Sequence, residues 1–283
     1  MNATPRKAVT LGLLSLTLAV GCGAQAGDAD VGSDRGATPA SVTTAPSASP
    51  PAPASPPAPA RPPAPRGTFT LAHSVRGRAI VAHELGDPMA HTRVLVVGDI
   101  HGNEPAGIAI AHRLDRATPP AAMDLWVIDD LNPDGVIAGT RQNAHGVDLN
   151  RNFPYQWQRI TDPTYDSGPR PASEPETRAA IALIRRIHPA VTIWYHQHQD
   201  LVDMAGGDRG VARRYAQLAH LRATCLAFLP GTAPGWQNHA LRGTTSFVVE
   251  LPAGPVGAVG VSRHLRAVAA MEHGARAGSR SGC

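Results

Sequence analysis

From Thr68 to Ala277, short apolar runs rich in β-branched residues alternate with stretches of helical spacing, and this alternation restricts the possible folds more than any other feature. Arg93–Gly98, Leu125–Ile128, Ala190–Tyr195 and Thr245–Val249 have the length and composition of buried strands. Thr68–His73 and Ala79–His83 flank Val75-Arg76-Gly77-Arg78 and read as a hairpin. Helical stretches follow at Glu104–Arg116, Ser173–Ile187, Asp208–Leu221, Pro234–Leu241 and Ser262–Glu272. Ser173 with Glu176 three residues on forms a capping box, and Pro175 is tolerated in the first turn. Asn132-Pro133-Asp134-Gly135 is turn chemistry. Strands alternating with helices predict an α/β fold: a mixed, mainly parallel twisted sheet with helices on both faces, in a single compact domain.

The first residues do not belong to that fold. Arg6-Lys7 precedes an apolar run from Ala8 to Val20, which has the layout of an export signal and is shorter than the ~20 residues a membrane span needs. It ends at Ala19-Val20-Gly21-Cys22, which resembles a bacterial lipobox with Cys22 as the lipidated residue; ordinary cleavage and secretion is the alternative. Residues 23–67 are Ala, Pro, Ser, Thr and Gly with almost no large apolar side chain, so they bury too little surface to offset their ordering entropy. The Pro-Pro-Ala-Pro pattern favours extended segments and predicts a semi-rigid spacer. The folded domain then spans 68–277, followed by a short tail, 278–283.

Charge excludes one class of partner. Lys7 is the only lysine, and the arginines do not gather into one basic run, so no nucleic-acid footprint is present despite a net charge of +4. Cys225 and Cys283 form an even pair in an exported chain, open either to a disulfide or to a small buried residue and a separate terminal thiol.

Four segments carry the chemistry: His101-Gly102-Asn103-Glu104, Gly146 to Pro154, Tyr195-His196, and Val249-Glu250-Leu251-Pro252. Together they hold nitrogen and oxygen ligands for zinc, a separate carboxylate base and arginines for anionic groups, which is the inventory of a hydrolytic zinc site. Each falls where a predicted strand ends, the place where open α/β sheets bind ligands. His198 lies two residues after His196, and strand alternation does not decide between them as a ligand.

In this order the segments resemble the zinc carboxypeptidase family, nearest to its bacterial murein peptide amidase branch. The resemblance runs from Ser74–Arg78 through Gly98–Gly107, Asn132–Gly135, Thr140–Asn143, the Gly-Val-Asp-Leu-Asn-Arg-Asn-Phe-Pro string, Ser173–Thr177 and His196 to Glu250. It implies that His101, Glu104 and His196 bind one Zn2+, the register from Pro189-Ala190 favouring His196 over His198. It implies Glu250 as the general base that takes a proton from water and returns it to the leaving amine. Arg141 corresponds to the arginine that stabilises the oxyanion, Asn150 and Arg151 to the pair that holds a terminal carboxylate, and Asp148 to the acid that orients the first histidine.

Two departures bear on substrate. The tyrosine that digestive members carry shortly before the glutamate is missing, since no tyrosine follows Tyr215, and the domain is short. Both favour small or branched peptides, and Gly231–Thr245 is the expected lining of the selectivity pocket. The chain is thus expected to be an exported, lipid-anchored or secreted monomeric zinc metallopeptidase that cuts an amide next to a free carboxylate in muropeptides. Alternatives are a general metallocarboxypeptidase, a deacylase of the desuccinylase and aspartoacylase type, and an inactive wall- or peptide-binding protein.

Overall fold

The computed structural model describes residues 66–273. The export segment with Cys22, nearly all of the spacer, the C-terminal tail and Cys283 lie outside the described residues.

The expected hairpin forms from β1 (Arg66–His73) and β2 (Ala79–Gly86), paired antiparallel. Alternation then sets in with β3 (Thr92–Val97), α1 (Ala106–Leu114), β4 (Met123–Ile128), the short α2 (Pro133–Ala138) and α3 (Pro175–Ile187). The chain continues through β5 (Val191–Gln197), β6 (Leu201–Asp203), α4 (Arg209–Ala219), β7 (Arg222–Thr224), α5 (Ala233–Ala240), β8 (Thr245–Leu251) and α6 (Ala258–Ala269).

The strands build one eight-stranded sheet in the order β1-β2-β4-β3-β5-β8-β6-β7. Its centre is parallel, β4-β3-β5-β8, and antiparallel pairs join β2 to β4 and β6 to β8. Central strands are buried on both faces, which is why they read as continuous apolar runs. Their side chains alternate between two cores. Val94, Val96, Ile193 and Tyr195 pack with α1, α4 and α6, whereas Leu95, Val97 and Trp194 pack with α3, α5 and Phe153. The mixed sheet with helices on both faces is therefore the fold expected from sequence.

Two local expectations are corrected. Asn132-Pro133-Asp134-Gly135 opens α2, with the Asn132 side chain accepting from the Gly135 amide and Pro133 in the first turn. The same residues that favour a turn also start a helix. The capping box at Ser173 does not form: Glu174 is the N-cap residue, with no side-chain cap bond. Glu176 is fully buried and instead accepts from the Val75 amide and the Asn143 side chain. Long-range partners outbid the local cap.

Candidate active site

Strand ends place the chemistry. β3 runs out at Val97, and the loop that follows carries His101 and Glu104 just before α1. Gly102 lets this loop press on α2, because a Cβ there would lie 1.9 Å from the Gly135 carbonyl carbon. β5 and β8 are parallel neighbours in a register that pairs His196 with Glu250. The third expected ligand and the expected base therefore sit side by side at one end of the sheet.

His101, Glu104 and His196 are all buried, and their donor atoms converge. His101 Nδ1 lies 3.1 Å from Glu104 Oε1 and 3.1 Å from His196 Nδ1, and His196 Nδ1 is 3.0 Å from Glu104 Oε2. Ligands about 2.1 Å from a tetrahedral zinc stand about 3.4 Å apart, so the trio is slightly tighter than a zinc ligand set. The tautomer agrees. Asp148 can only accept, so His101 donates its Nε2–H to Asp148 Oδ1 at 2.9 Å and turns the Nδ1 lone pair toward the other two donors. Lone pairs meeting at one buried point call for a cation, and the donor set fits Zn2+.

The electrostatics follow from the same geometry. Burial alone would raise the Glu104 carboxyl and lower the His101 imidazole. Where the two imidazoles carry a proton on Nδ1, their hydrogen bonds to Glu104 overcome this and hold its carboxyl far below the carboxylate range, while the Asp148 charge raises His101. Asp148, itself fully buried, is held well down by His101, Arg141 and Arg151 against the same desolvation.

Arg141 donates from Nε to Asp148 Oδ2 and from Nη1 to Glu104 Oε1, each at 2.9 Å, so both acids aim it. Asn150 and Arg151 belong to a single 3-10 turn that follows Asp148, whose Oδ1 accepts from the Asn150 amide. Asn150 Oδ1 accepts from the Ala233 amide at the start of α5, and Arg151 Nη1 donates to the Asn150 carbonyl. Glu250 accepts from Gln199 Nε2 through Oε1, whereas its Oε2 is buried with no hydrogen-bond partner among the described residues.

These residues share one cavity of about 540 Å3, which brings together every sequence-predicted site residue of the described span except Asp148, which lies behind His101. His198 is exposed and lines a neighbouring groove with Asn103 and Ala253. Thr232, Pro234, Gly235, Asn238 and His239, from the expected selectivity segment, do line the cavity. Sequence reasoning missed three others. Tyr165 lies 5.2 Å from the Arg141 guanidinium and 5.5 Å from that of Arg151, so an aromatic hydroxyl comes from a different loop than the one searched. Tyr155 stacks on His239, and Asp203 enters from β6. None lies in a periodic segment or a motif.

Sheet and donor set together describe an α/β protein with one three-donor zinc site at a strand-end cavity. The zinc carboxypeptidase family model matches residues 65–210, and the chain belongs to that family. It is 36% identical over 115 residues to murein peptide amidase A of Escherichia coli K12, covering 36% of this chain and 48% of that protein. It is 31% identical over 159 residues to murein peptide amidase A of Vibrio campbellii, covering 49% and 62%. The match thus spans about half to under two thirds of these relatives' length. Among solved structures, murein-tripeptide amidase MpaA of Escherichia coli O157 superposes with a TM-score of 0.62 at 25% identity, over 76% of this chain and 94% of that one.

Proposed function

We propose that this chain is an exported zinc-dependent peptidase that hydrolyses an amide bond beside a free carboxylate, with murein peptides as its substrates. The observation that carries the reading is the convergence of His101, Glu104 and His196 in one cavity with Glu250, Arg141 and Arg151. Murein peptides enter through the relatives, which are named as murein peptide amidases.

Zinc held by the three donors supplies a Lewis acid that polarises the scissile carbonyl and makes water more acidic. The protein's own groups do the rest. Glu250, beside His196, takes the proton from the attacking water and delivers it to the departing amine. Arg141, aimed by Asp148 and Glu104, faces the negative charge that develops on the carbonyl oxygen. Arg151 and Asn150 grip the substrate's terminal carboxylate, for which a planar guanidinium is suited. Export and anchoring through Cys22 rest on the N-terminal sequence.

Incubation of the protein with defined muropeptides and with plain C-terminal peptides, read by mass spectrometry, tests the substrate. Cleavage of plain peptides alone would turn the reading to a general carboxypeptidase. A Glu250→Gln variant should keep its zinc and lose turnover by about 100-fold or more; full activity would remove Glu250 as the base. Membrane partitioning that persists in a Cys22→Ala variant would refute the anchor.

A further inference from the structure

Outside the catalytic cavity, β2, β4 and the end of α1 gather a second set of metal-ligating side chains: His83, His112, Asp115 and Asp129. His83 stands in β2 opposite Val127 of β4, and Asp129 follows two residues beyond Val127, just past the end of that strand. Residues two apart share a sheet face, so His83 and Asp129 lie on the face that α1 covers, with Leu85 and Leu125. His112 and Asp115 come three residues apart at the end of α1, on one side of the helix, and meet the other two there.

His83 Nε2 lies 3.3 Å from Asp129 Oδ2 and 3.7 Å from Asp115 Oδ2, and His112 Nε2 lies 3.6 Å from Asp129 Oδ2. A charge-assisted hydrogen bond from nitrogen to carboxylate is about 2.7–2.9 Å long, so all three pairs stand too far apart for one. Ligands around a tetrahedral zinc are about 3.4 Å apart, and the three separations bracket that value. The orientation of His83 agrees. Thr68, its cross-strand partner in β1, has its hydroxyl 3.3 Å from Nδ1. With Thr68 accepting Nδ1–H, Nε2 turns its lone pair toward the two carboxylates, an arrangement that a cation reconciles. Asp129 Oδ1 is buried with no hydrogen-bond partner among the described residues, so this acid is not satisfied by the protein alone. Asp115 caps the negative end of the α1 dipole beside a second acid, which adds to the same need.

We infer that His83, His112, Asp115 and Asp129 form a second zinc site, a four-donor site with a structural role. Two nitrogens and two oxygens suit Zn2+, whereas Ca2+ and Mg2+ favour oxygen donors. Three protein donors leave an open position for chemistry at His101, Glu104 and His196; four donors close the shell. His83, Asp115 and Asp129 are largely shielded, and the more exposed His112 covers the open side. An ion here ties the end of α1 to β2 and β4. Because α1 starts two residues after Glu104, the tie also steadies the loop that carries two of the catalytic metal's ligands.

Zinc uptake by the metal-stripped full chain, followed by calorimetry in a Glu104→Gln variant that weakens the catalytic site, tests the inference. That variant should bind one ion per chain, and zinc at about 100 times Kd should raise its Tm by about 5–11 °C. Adding Asp129→Asn, which takes a charged ligand from both histidines, should weaken uptake at least 100-fold and abolish the rise in Tm. His112→Ala, at an exposed position that leaves the core untouched, should weaken uptake at least tenfold. No uptake by Glu104→Gln, or uptake that neither further replacement changes, overturns the inference. The wild type should hold two ions, one lost with Asp129→Asn and the other with Glu104→Gln. A single ion that leaves with Asp129→Asn and stays with Glu104→Gln would keep the second site and remove the catalytic one.

Discussion

Replacing Asp148 by Asn leaves the shape of the site almost unchanged and removes one negative charge from behind it. Asp148 serves three donors: His101 Nε2 and the Asn150 amide on Oδ1, and Arg141 Nε on Oδ2, each at 2.9 Å. Asn has one acceptor oxygen and one NH2 group. With its oxygen toward His101, the NH2 group confronts Arg141 donor to donor; flipped, it confronts His101 and the Asn150 amide. Either way a buried donor loses its partner, since Asp148 is completely shielded from solvent. Loss of such an outer partner typically costs 10- to 100-fold in metal affinity, about 1.4–2.7 kcal/mol at 1.36 kcal/mol per decade. The Arg141 bond adds a folding cost of about 1.5–3 kcal/mol, which for a domain of this size lowers Tm by about 3–12 °C. Zinc affinity is measured by competition against a chromophoric chelator at neutral pH, with circular dichroism confirming that the variant is folded. A folded Asp148→Asn protein that binds zinc within threefold of wild type would refute the claim that Asp148 sets the His101 tautomer.

Gly107, the second residue of α1, is closed to any side chain: a Cβ would lie 2.1 Å from the Gly98 carbonyl oxygen and 2.5 Å from Tyr195 Cβ. Gly107→Ala should therefore cost about 3 kcal/mol and lower Tm by about 6–12 °C, and an unchanged melting curve would contradict the packing of α1 on β5. A separate test concerns pH. His264 is buried against Tyr215, whose hydroxyl lies 2.8 Å from Nδ1, and burial, aided by Arg263, pushes its imidazole down to about 4. The unfolded chain, with a histidine near 6.5, binds the proton first, so stability falls as pH drops from about 6.5 to about 4 and levels off below. The loss is about 3 kcal/mol. His264→Gln keeps an acceptor for Tyr215 and should remove that part of the slope in urea unfolding at pH 4.5 and 6.5; identical slopes in the two proteins would exclude His264 as its source.

What the sequence disclosed and what it hid divide along one physical line. β3, β5 and β8 were legible because strands covered on both faces must be apolar throughout, and the residues that end them carry the metal donors and Glu250. α4 was legible because Asp208 caps it locally, accepting from the Gly210 and Val211 amides. Where partners are distant in sequence, local pattern misled or fell silent. Glu176 has every feature of a capping-box acid, yet Val75 and Asn143 take it, from 101 and 33 residues away. Tyr165 reaches the arginines from an aperiodic loop. β6 and β7 have three residues each, too few to show a period of two, and they exist because β6 covers the edge of β8 and β7 in turn covers β6. That edge matters most, because a slip of one residue between β6 and β8 would turn Asp203 to the opposite face of the sheet, away from Glu250 and the cavity. Catalytic groups at strand ends are thus written in motifs, whereas Asp203, which lines the same cavity, owes its position to the register of a three-residue strand.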